Sequence, residues 1–589
     1  MRILLVAINA KYVHTNLAIR YLRESVIAEF PQVELREFTI NEPIERIEAE
    51  IFEAKADVIG FSCYIWNLSE TMAVIRQLRP VCPKVRIVVG GPEVSYDAAQ
   101  FLKEHPELDG VVYGEGEITF LELLRAWRDR SGLERVDGLA WRETDLIRVN
   151  SPSRQLSFEQ VPNPYSRDED FTGRLAYVET IRGCPFNCQY CLSSTFQGVR
   201  YLDPESFRVI LSQLLRCGAR TIKFVDRTFN VNKQHSFKIL DIVREESANY
   251  PPDAGIRAHC EMAGELLDED WIRYLREYPK DLVQFEIGVQ STNPETLAII
   301  SRPQHFERWA SSVQEIQAMR KAHLHLDLIA GLPEEDWTSF RTSFNDVYNV
   351  QPDMLQLGFL KVLKGSGLRE KSEKYGLTYS PDPPYIILET QVLSHEELLK
   401  LHRLEEILDK YYNSGRFSTI LPCALELFPT PFDFYYEFAE YWHKRGWFRQ
   451  NWSGKALFEK LWEFLIATDS IEESKGKVDS EGNVNPKENS MDRFRELLRF
   501  DYYLWERPSV VPDYLLQSSE SLPIDYSKGK LQLQHDEAWA SRIPEFRSMD
   551  RRQWSRATAL EYFTYPNPQW VLFFYAQGQT KVYPLLNQH

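Results

Sequence analysis

The sequence predicts an α/β protein of three parts: a doubly wound amino-terminal domain, a central partial (β/α)6 barrel and a mainly α-helical carboxyl-terminal domain. Three observations carry this. Short apolar runs alternate with helical patterns through the first 125 residues. The alternation resumes at Leu175 for six further strand and helix pairs, and after about Ser394 it gives way to long helical stretches rich in Tyr, Phe and Trp. Strands alternating with helices mark a parallel sheet with helical crossovers. At 589 residues the chain outgrows a single core, and a prior of roughly 150 residues per domain suggests three or four units.

In chain order, the first domain reads as strand 3–8, helix 17–30, strand 58–62, helix 68–78, strand 85–89, helix 98–102 and a short strand 111–113 before Gly114. This is the pattern of flavodoxin- and Rossmann-like sheets, assigned to residues 1–130. Residues 131–172 are looser, with a hairpin near Gly138 and a Pro-, Asn- and Ser-rich stretch at 151–166, and read as a linker. The barrel, 173–370, has strands at 177–181, 221–225, 255–259, 282–289, 324–329 and 354–360, with reactive loops at the strand carboxyl ends. The accessory domain, 371–589, holds a polar segment near 469–490 that reads as a mobile loop. A closing hairpin pairs 570–575 with 580–583 around Gly578. Phe434, Phe438, Tyr441 and Trp442 follow helical spacing and read as core. Nothing in the spacing brings Cys423 or His443 to a site.

Composition narrows the function. With 43% hydrophobic and 26% charged residues the chain is ordinary globular material. A net charge of -17 argues against nucleic acid and favours a small molecule or peptide as substrate. The opening MRILLVAIN reads as a buried strand rather than a signal peptide, and no apolar stretch reaches the roughly 20 residues of a membrane helix. A cytoplasmic protein without membrane association is expected. Eight cysteines are too few for a disulfide scaffold.

Three of them form the segment Arg182-Gly-Cys184-Pro-Phe-Asn-Cys188-Gln-Tyr-Cys191, directly after an expected strand. A structural zinc site takes four ligands, and no fourth lies close by. Inert core cysteines do not suit a tight loop beside Gly183 and Pro185. Three thiolates can hold three irons of a 4Fe-4S cluster and leave the fourth without a protein ligand.

With Tyr190 before the third cysteine, this segment resembles the motif of the radical S-adenosylmethionine (SAM) superfamily. The resemblance implies that SAM chelates the open iron and that one electron breaks its carbon–sulfur bond. The resulting 5′-deoxyadenosyl radical takes hydrogen from an unactivated carbon, and Tyr190 lies near the adenine. The likeness covers 175–370. Asp226, in Lys223-Phe-Val-Asp-Arg-Thr-Phe-Asn230, stands where the family contacts the SAM amino group; a helix cap is its other reading. In Phe285-Glu-Ile-Gly-Val-Gln-Ser291 and Asp327-Leu-Ile-Ala-Gly-Leu-Pro-Glu334, Gly288 and Gly331 would admit the cofactor to the backbone, while Glu286, Gln290 and Ser291 would bind its polar groups. Asp327 needs a buried partner, either SAM or a structural one. No residue is assigned a catalytic role of its own.

Val89-Gly-Gly-Pro-Glu93 and Tyr113-Gly-Glu-Gly-Glu117, with Ser62 closing an earlier strand, resemble the cobalamin-binding domain of the cobalamin-dependent radical SAM group, in a branch with an accessory carboxyl-terminal domain. The implied cobalamin site is His14, Asn16, Ser62, Gly90, Gly91, Glu93, Gly114, Glu115 and Gly116, at strand carboxyl ends where open α/β folds bind ligands. Gly90-Gly91 alone is a common tight turn, and flavin, a nucleotide or an empty scaffold are the alternatives. One departure is plain: the family's DxHxxG is absent. His14, in the loop 9–16, is off that spacing, either a cobalt ligand or a hydrogen-bonded loop histidine. The resemblance implies methylation of an unactivated carbon with electrons from a flavodoxin or ferredoxin. Ring closure or rearrangement, as in the anaerobic magnesium-protoporphyrin ester cyclase family, and a non-catalytic cobalamin sensor are the alternatives.

Overall fold

β1 (Ile3–Asn9) is buried along its whole length because its two faces feed two separate cores. Leu4, Val6 and Ile8 pack with Ile47, Ile51, Met72, Ile75 and Leu102 on one side. Ile3, Leu5 and Ala7 pack with Ile19, Val26, Phe120 and Leu123 on the other. Side chains alternate across a strand, so an unbroken apolar run is what a sheet covered on both faces requires. The computed structural model describes residues 1–144, 146–195, 198–302, 304–474, 490–508, 510–516, 549–565, 567–576 and 579–585. Contacts gather the chain into two units, Met1–Leu398 and Leu399–His589.

The first sheet has the order β2-β1-β3-β4-β5-β6-β7, built from β2 (Val33–Thr39), β3 (Val58–Ser62), β4 (Arg86–Gly90), β5 (Gly110–Val112), β6 (Leu139–Glu143) and β7 (Leu146–Val149). β1 to β5 are parallel, which is the expected doubly wound domain. β2 and the helix Ile44–Glu53 were not foreseen: β2 is an edge strand whose VELREFT mixes charged with apolar residues and lacks the solid apolar signal of the inner strands. The hairpin near Gly138 forms as β6 and β7, which run antiparallel on the other edge. Part of the segment read as a linker therefore belongs to the sheet.

The second sheet is the partial (β/α)6 barrel. It opens with β8 (Leu175–Val178), which the separate short antiparallel pair β9 (Ile181–Arg182) and β10 (Arg200–Tyr201) follows in the chain. β11 (Thr221–Phe224), β12 (Arg257–Met262), β13 (Val283–Gln290), β14 (Ala322–Ala330) and β15 (Met354–Phe359) complete it in the order β15-β14-β13-β12-β11-β8, all parallel. Burial alternates along the inner strands. Ala258, Cys260, Phe285, Ile287, Leu324 and Leu326 are buried, while His259, Glu261, Gln284, Glu286, His325 and Asp327 occupy the opposite face. Asp203, Asn232, Asp268, Asn293 and Asp336 cap the helices that follow the strands, which fixes where each loop ends. β16 (Thr378–Tyr379) and β17 (Ile387–Glu389) form a further antiparallel pair.

The second unit is mainly helical, as expected. Phe434, Phe438 and Trp442 on the helix Pro431–Lys444 are fully buried, with Phe438 stacked on Phe464 at 4.4 Å between ring centroids, so these three positions of the aromatic stripe are core, while Tyr441 is half-buried. The expected closing hairpin is β19 (Gln569–Ala576) with β20 (Gln579–Leu585), joined by an unforeseen β18 (Thr558–Phe563); Gly578 lies outside the described residues. The helix Gly454–Ser474 runs into the segment read as a loop near 469–490, and 475–489 lie outside the described residues. Among the described residues no helix is long and apolar enough to cross a membrane.

Candidate functional site

The three cysteines sit on a loop whose stems are β9 and β10, with Arg182 opposite Arg200. Gly183 takes φ +92°, and a Cβ there would collide with the Gly198 carbonyl oxygen, so only glycine lets the stems close this tightly. Below the loop Asp226 is fully buried. One oxygen accepts from the amides of Thr180 at 2.7 Å and Ile181 at 2.9 Å, and the other from the Thr180 hydroxyl. Burial pushes its carboxyl up to about 7. Asp226 thus anchors the turn entering the cysteine loop. The expected helix cap falls to Asn232, which accepts from His235 N at 3.2 Å, while the oxygens of Asp226 are turned to Thr180 and Ile181.

All eight cysteines are free thiols. Cys184 Sγ lies 3.5 Å from Thr228 Oγ1, Ser193 N donates to Cys191 Sγ at 3.4 Å, and Arg302 Nη1 donates to Cys188 Sγ at 3.7 Å. Among the described residues no three His, Cys, Asp or Glu side chains are gathered to hold one metal ion. A 4Fe-4S cluster gives each thiolate its own iron, and three thiols on one tight loop, with N–H donors to the sulfurs of Cys188 and Cys191 and a hydroxyl beside that of Cys184, are the donor set it needs.

Beside the loop, Arg302 joins several pieces. Its Nη2 donates to the Gly288 carbonyl at 2.7 Å and its Nη1 to Tyr190 Oη at 3.3 Å. Near Gly288, Arg302 Nε, Gln290 Oε1 and Asp327 Oδ1 are buried without a hydrogen-bond partner, as is Oε2 of Glu265, whose charge acts on Arg302. Gln290 is held at φ +69°, and Asp327 is registered against Gly288. Burial, with Glu286 and Glu261 close by, pushes the Asp327 carboxyl well above the usual range. Buried polar groups are nearly always paired, so this cluster of orphans fits a polar ligand such as SAM.

The face of the sheet opposite the helices continues this polarity. Glu286 accepts from His259 Nε2 at 2.8 Å and Lys223 Nζ at 3.4 Å. The His259 hydrogen bond, then Lys223, outweighs burial and draws its carboxyl down to about 2. Gln284 Nε2 lies 3.1 Å from His325 Nε2, and burial pushes His325 down to about 4. Glu286 is thus bound into the fold with Lys223 and His259. Sequence reasoning gave neither of those nor Arg302 a role, although the alternation AHLHLDLIA in β14 announces a polar face. Two expected residues lie elsewhere. Ser291 Oγ donates to Glu335 Oε1 at 2.5 Å, and Gly331 lies under Ile387, whose Cγ2 stands 2.6 Å from where a Cβ would be.

In the amino-terminal domain the expected residues gather at the strand carboxyl ends with varied employment. Asn16 Nδ2 donates to Ser62 Oγ at 3.0 Å and its Oδ1 caps the helix Leu17–Val26. His14 Nδ1 lies 2.5 Å from Tyr177 Oη, in a loop docked on β8 through Leu175 N to Val13 O at 2.7 Å and Thr15 Oγ1 to Leu175 O at 2.8 Å. His14 is thus a hydrogen-bonded loop histidine. Gly90 accepts from Cys63 N at 2.7 Å, and Gly91 packs against the Cys63 carbonyl. Glu93, 2% exposed, accepts from Tyr385 Oη and lies 3.7 Å from Lys364 Nζ. Gly114, Glu115 and Gly116 open the helix Gly116–Asp129, and Glu115 pairs with Arg182 and Arg200. The carboxylates of Glu93 and Glu115 are therefore paired inside the fold. Unforeseen aromatic surface lies on the loop after β3, where Tyr64 and Trp66 stack at 4.4 Å and Trp66 is 45% exposed.

Comparison with known proteins matches three families: "B12 binding domain" over residues 3–124, "Radical SAM superfamily" over 178–347 and "Protein of unknown function (DUF4080)" over 373–573. An uncharacterized methyltransferase of Pyrococcus horikoshii is 30% identical over 298 residues, 47% of this chain and 61% of that one. The cobalamin-dependent radical SAM methyltransferase TokK of Streptomyces tokunonensis is 26% identical over 362 residues, 58% of this chain and 52% of that one. The chain thus spans little more than half the length of these relatives. The structure of the radical SAM methyltransferase TsrM from Kitasatospora setae, with cobalamin and a 4Fe-4S cluster bound, superposes with a TM-score of 0.54 at 15% identity, covering 65% of this chain and 79% of that one. At that identity the likeness is one of fold.

Proposed function

We propose that this chain, whose central region belongs to the radical SAM superfamily and whose amino-terminal region is a B12 binding domain, cleaves SAM reductively and methylates an unactivated carbon. The observation that carries the reading is the loop of three cysteines beside four buried polar side chains that each keep one atom without a hydrogen-bond partner. When bound, a 4Fe-4S cluster, SAM and cobalamin supply one-electron cleavage to a 5′-deoxyadenosyl radical and a transferable methyl group. Cys184, Cys188 and Cys191 hold the cluster. Arg302 donates to the Cys188 sulfur and orients Tyr190, while Gln290, Asp327 and Glu265 turn their free oxygens to the polar groups of SAM. Asp226 fixes the turn that carries Cys184. Ser62, Gly90 and Gly114 mark the sheet edge that receives the corrin. The substrate is a small molecule or peptide, electrons come from a flavodoxin or ferredoxin, and the enzyme works in the cytoplasm.

The test is the iron and cobalt content of protein purified without oxygen from cells supplied with cobalamin, followed by product analysis. Cobalt with about four irons, and S-adenosylhomocysteine formed together with 5′-deoxyadenosine, is the expected result. Iron without cobalt overturns methyl transfer. Full iron content and SAM cleavage retained in Cys188→Ala overturn the cysteine assignment.

A further inference from the structure

We propose that Glu115 is a positioning residue for the cluster: from the amino-terminal sheet it grips both stems of the cysteine loop and fixes where the three thiols stand. The inference rests on the proposed function, since it takes the loop to be the cluster's seat. Arg182 and Arg200 face each other across the β9–β10 ribbon, so both guanidinium groups rise from one side of it, and like charges directly opposite destabilise such a pair. Glu115 answers both. Its Oε2 accepts from Arg182 Nη1 at 3.4 Å and from Arg200 Nη1 at 3.2 Å, and its Oε1 takes Arg200 Nη2. The Leu156 amide donates to it at 3.1 Å and fixes the carboxylate in turn.

Glu115 is 13% exposed and Arg182 10%, so solvent does little to screen the contact. Arg182 is further paired with Glu117 at 2.6 Å and Glu179 at 2.8 Å, and Arg200 donates to the Leu156 carbonyl. The tip of the loop has its own supports, Gln189 N to Ile300 O at 2.9 Å and Leu368 N to Gln189 O at 2.8 Å. The stems lean on Glu115. Arg182 is two residues from Cys184, so a rotation of the stem moves that sulfur first. Removing the carboxylate's charge takes away the one group that both arginines share, while Arg182 keeps Glu117 and Glu179.

The test compares wild type with Glu115→Gln, Glu115→Asp and Arg200→Lys after anaerobic reconstitution. It reads iron release to a ferrous chelator, the electron paramagnetic resonance spectrum of the reduced protein, and cobalt content. Glu169→Gln is the control, since Glu169 pairs with Arg20 and Arg23 away from the loop. Partners that orient metal ligands are typically worth 10-fold to 100-fold in affinity. Glu115→Gln is expected to release iron roughly 10-fold faster with an altered spectrum and unchanged cobalt. Glu115→Asp should recover part of the loss, Arg200→Lys should repeat it in milder form, and Glu169→Gln should match wild type. If Glu115→Gln does not fold, the Arg200→Lys and Glu115→Asp release rates decide, and wild-type values in both overturn the proposal. A stable wild-type cluster left unaffected in Glu115→Gln overturns this inference alone. A wild-type protein that takes up no cluster overturns the proposed function as well.

Discussion

Arg302 donates to the Cys188 sulfur across 3.7 Å although 114 residues separate the two in sequence. A permanent positive charge therefore stands against one of the three thiols. Hydrogen bonds to sulfur and nearby charge set the potential of an iron–sulfur cluster. Replacing Arg302 with Gln should make the reconstituted cluster harder to reduce, by on the order of tens of millivolts, and Arg302→Lys should fall between. A redox titration followed by electron paramagnetic resonance measures it, and an unchanged midpoint in both variants would remove Arg302 from the cluster's surroundings.

Glu286 ties folding to pH at the acid end. Its carboxyl sits at about 2 in the fold against an ordinary 4.5, so folding favours the ion. That stabilisation is complete above pH 4.5 and is lost as the pH falls toward 2. The gap corresponds to about 3 kcal/mol. Glu286→Gln should lose about that much at pH 7 and much less near pH 3, as urea denaturation at the two pH values would show. An equal loss at both would mean that Lys223 and His259 do not act through charge.

Ser291 and Glu335 make the opposite case. Burial holds the Glu335 carboxyl up to about 7 although Ser291 and Ser343 favour its ion. The folded chain thus binds more protons than the unfolded one between pH 4.5 and 7, and stability declines as the pH rises through that window. Glu335→Gln should flatten the decline, and Ser291→Ala should steepen it while leaving SAM affinity unchanged. Thermal unfolding at pH 5 and pH 8, with equilibrium dialysis of SAM, checks both; weakened SAM binding in Ser291→Ala would return the hydroxyl to the cofactor site.

Phe438 lies at the centre of the second unit's aromatic core, fully buried against Phe464, Tyr411 and Trp442. Truncation to Ala should cost about 3–5 kcal/mol, read as a lowered denaturation midpoint. A loss under 1 kcal/mol, well below the usual cost of such a truncation, would place this ring at a surface rather than a core.

The cysteine loop and the strand ends beside it are legible in the sequence because their parts are local. Cys184, Cys188 and Cys191 fall within one loop, and Gly288, Gln290 and Asp327 end strands whose apolar alternation is plain. Arg302 escaped because it follows the short helix Pro294–Ile299, where no periodicity says which way a loop side chain turns. The partners of Glu93 and Glu115 within the fold are hidden from the sequence for a related reason. A carboxylate beside glycines at a strand end looks the same whether it meets a ligand or an arginine, and the partners, Arg200 and Tyr385, lie 85 and 292 residues away. Gly331 shows the same limit, since spacing announces a close approach without saying that Ile387 makes it. β2 was lost because an edge strand tolerates the charges that an inner strand excludes.

The docking of the loop at Val13 and Thr15 on Leu175 bears on how the chain is made. Domains generally fold as units, amino-terminal first during synthesis, an order that would set that loop in place before Leu175 emerges. The first barrel strand meets a ready-made edge. From there the spatial order β8, β11, β12, β13, β14, β15 is also the order of synthesis, and each new strand adds beside its predecessor without being threaded between two already laid down. The barrel grows in one direction from a fixed starting point, and the neighbour on which β8 is laid is the B12 binding domain itself.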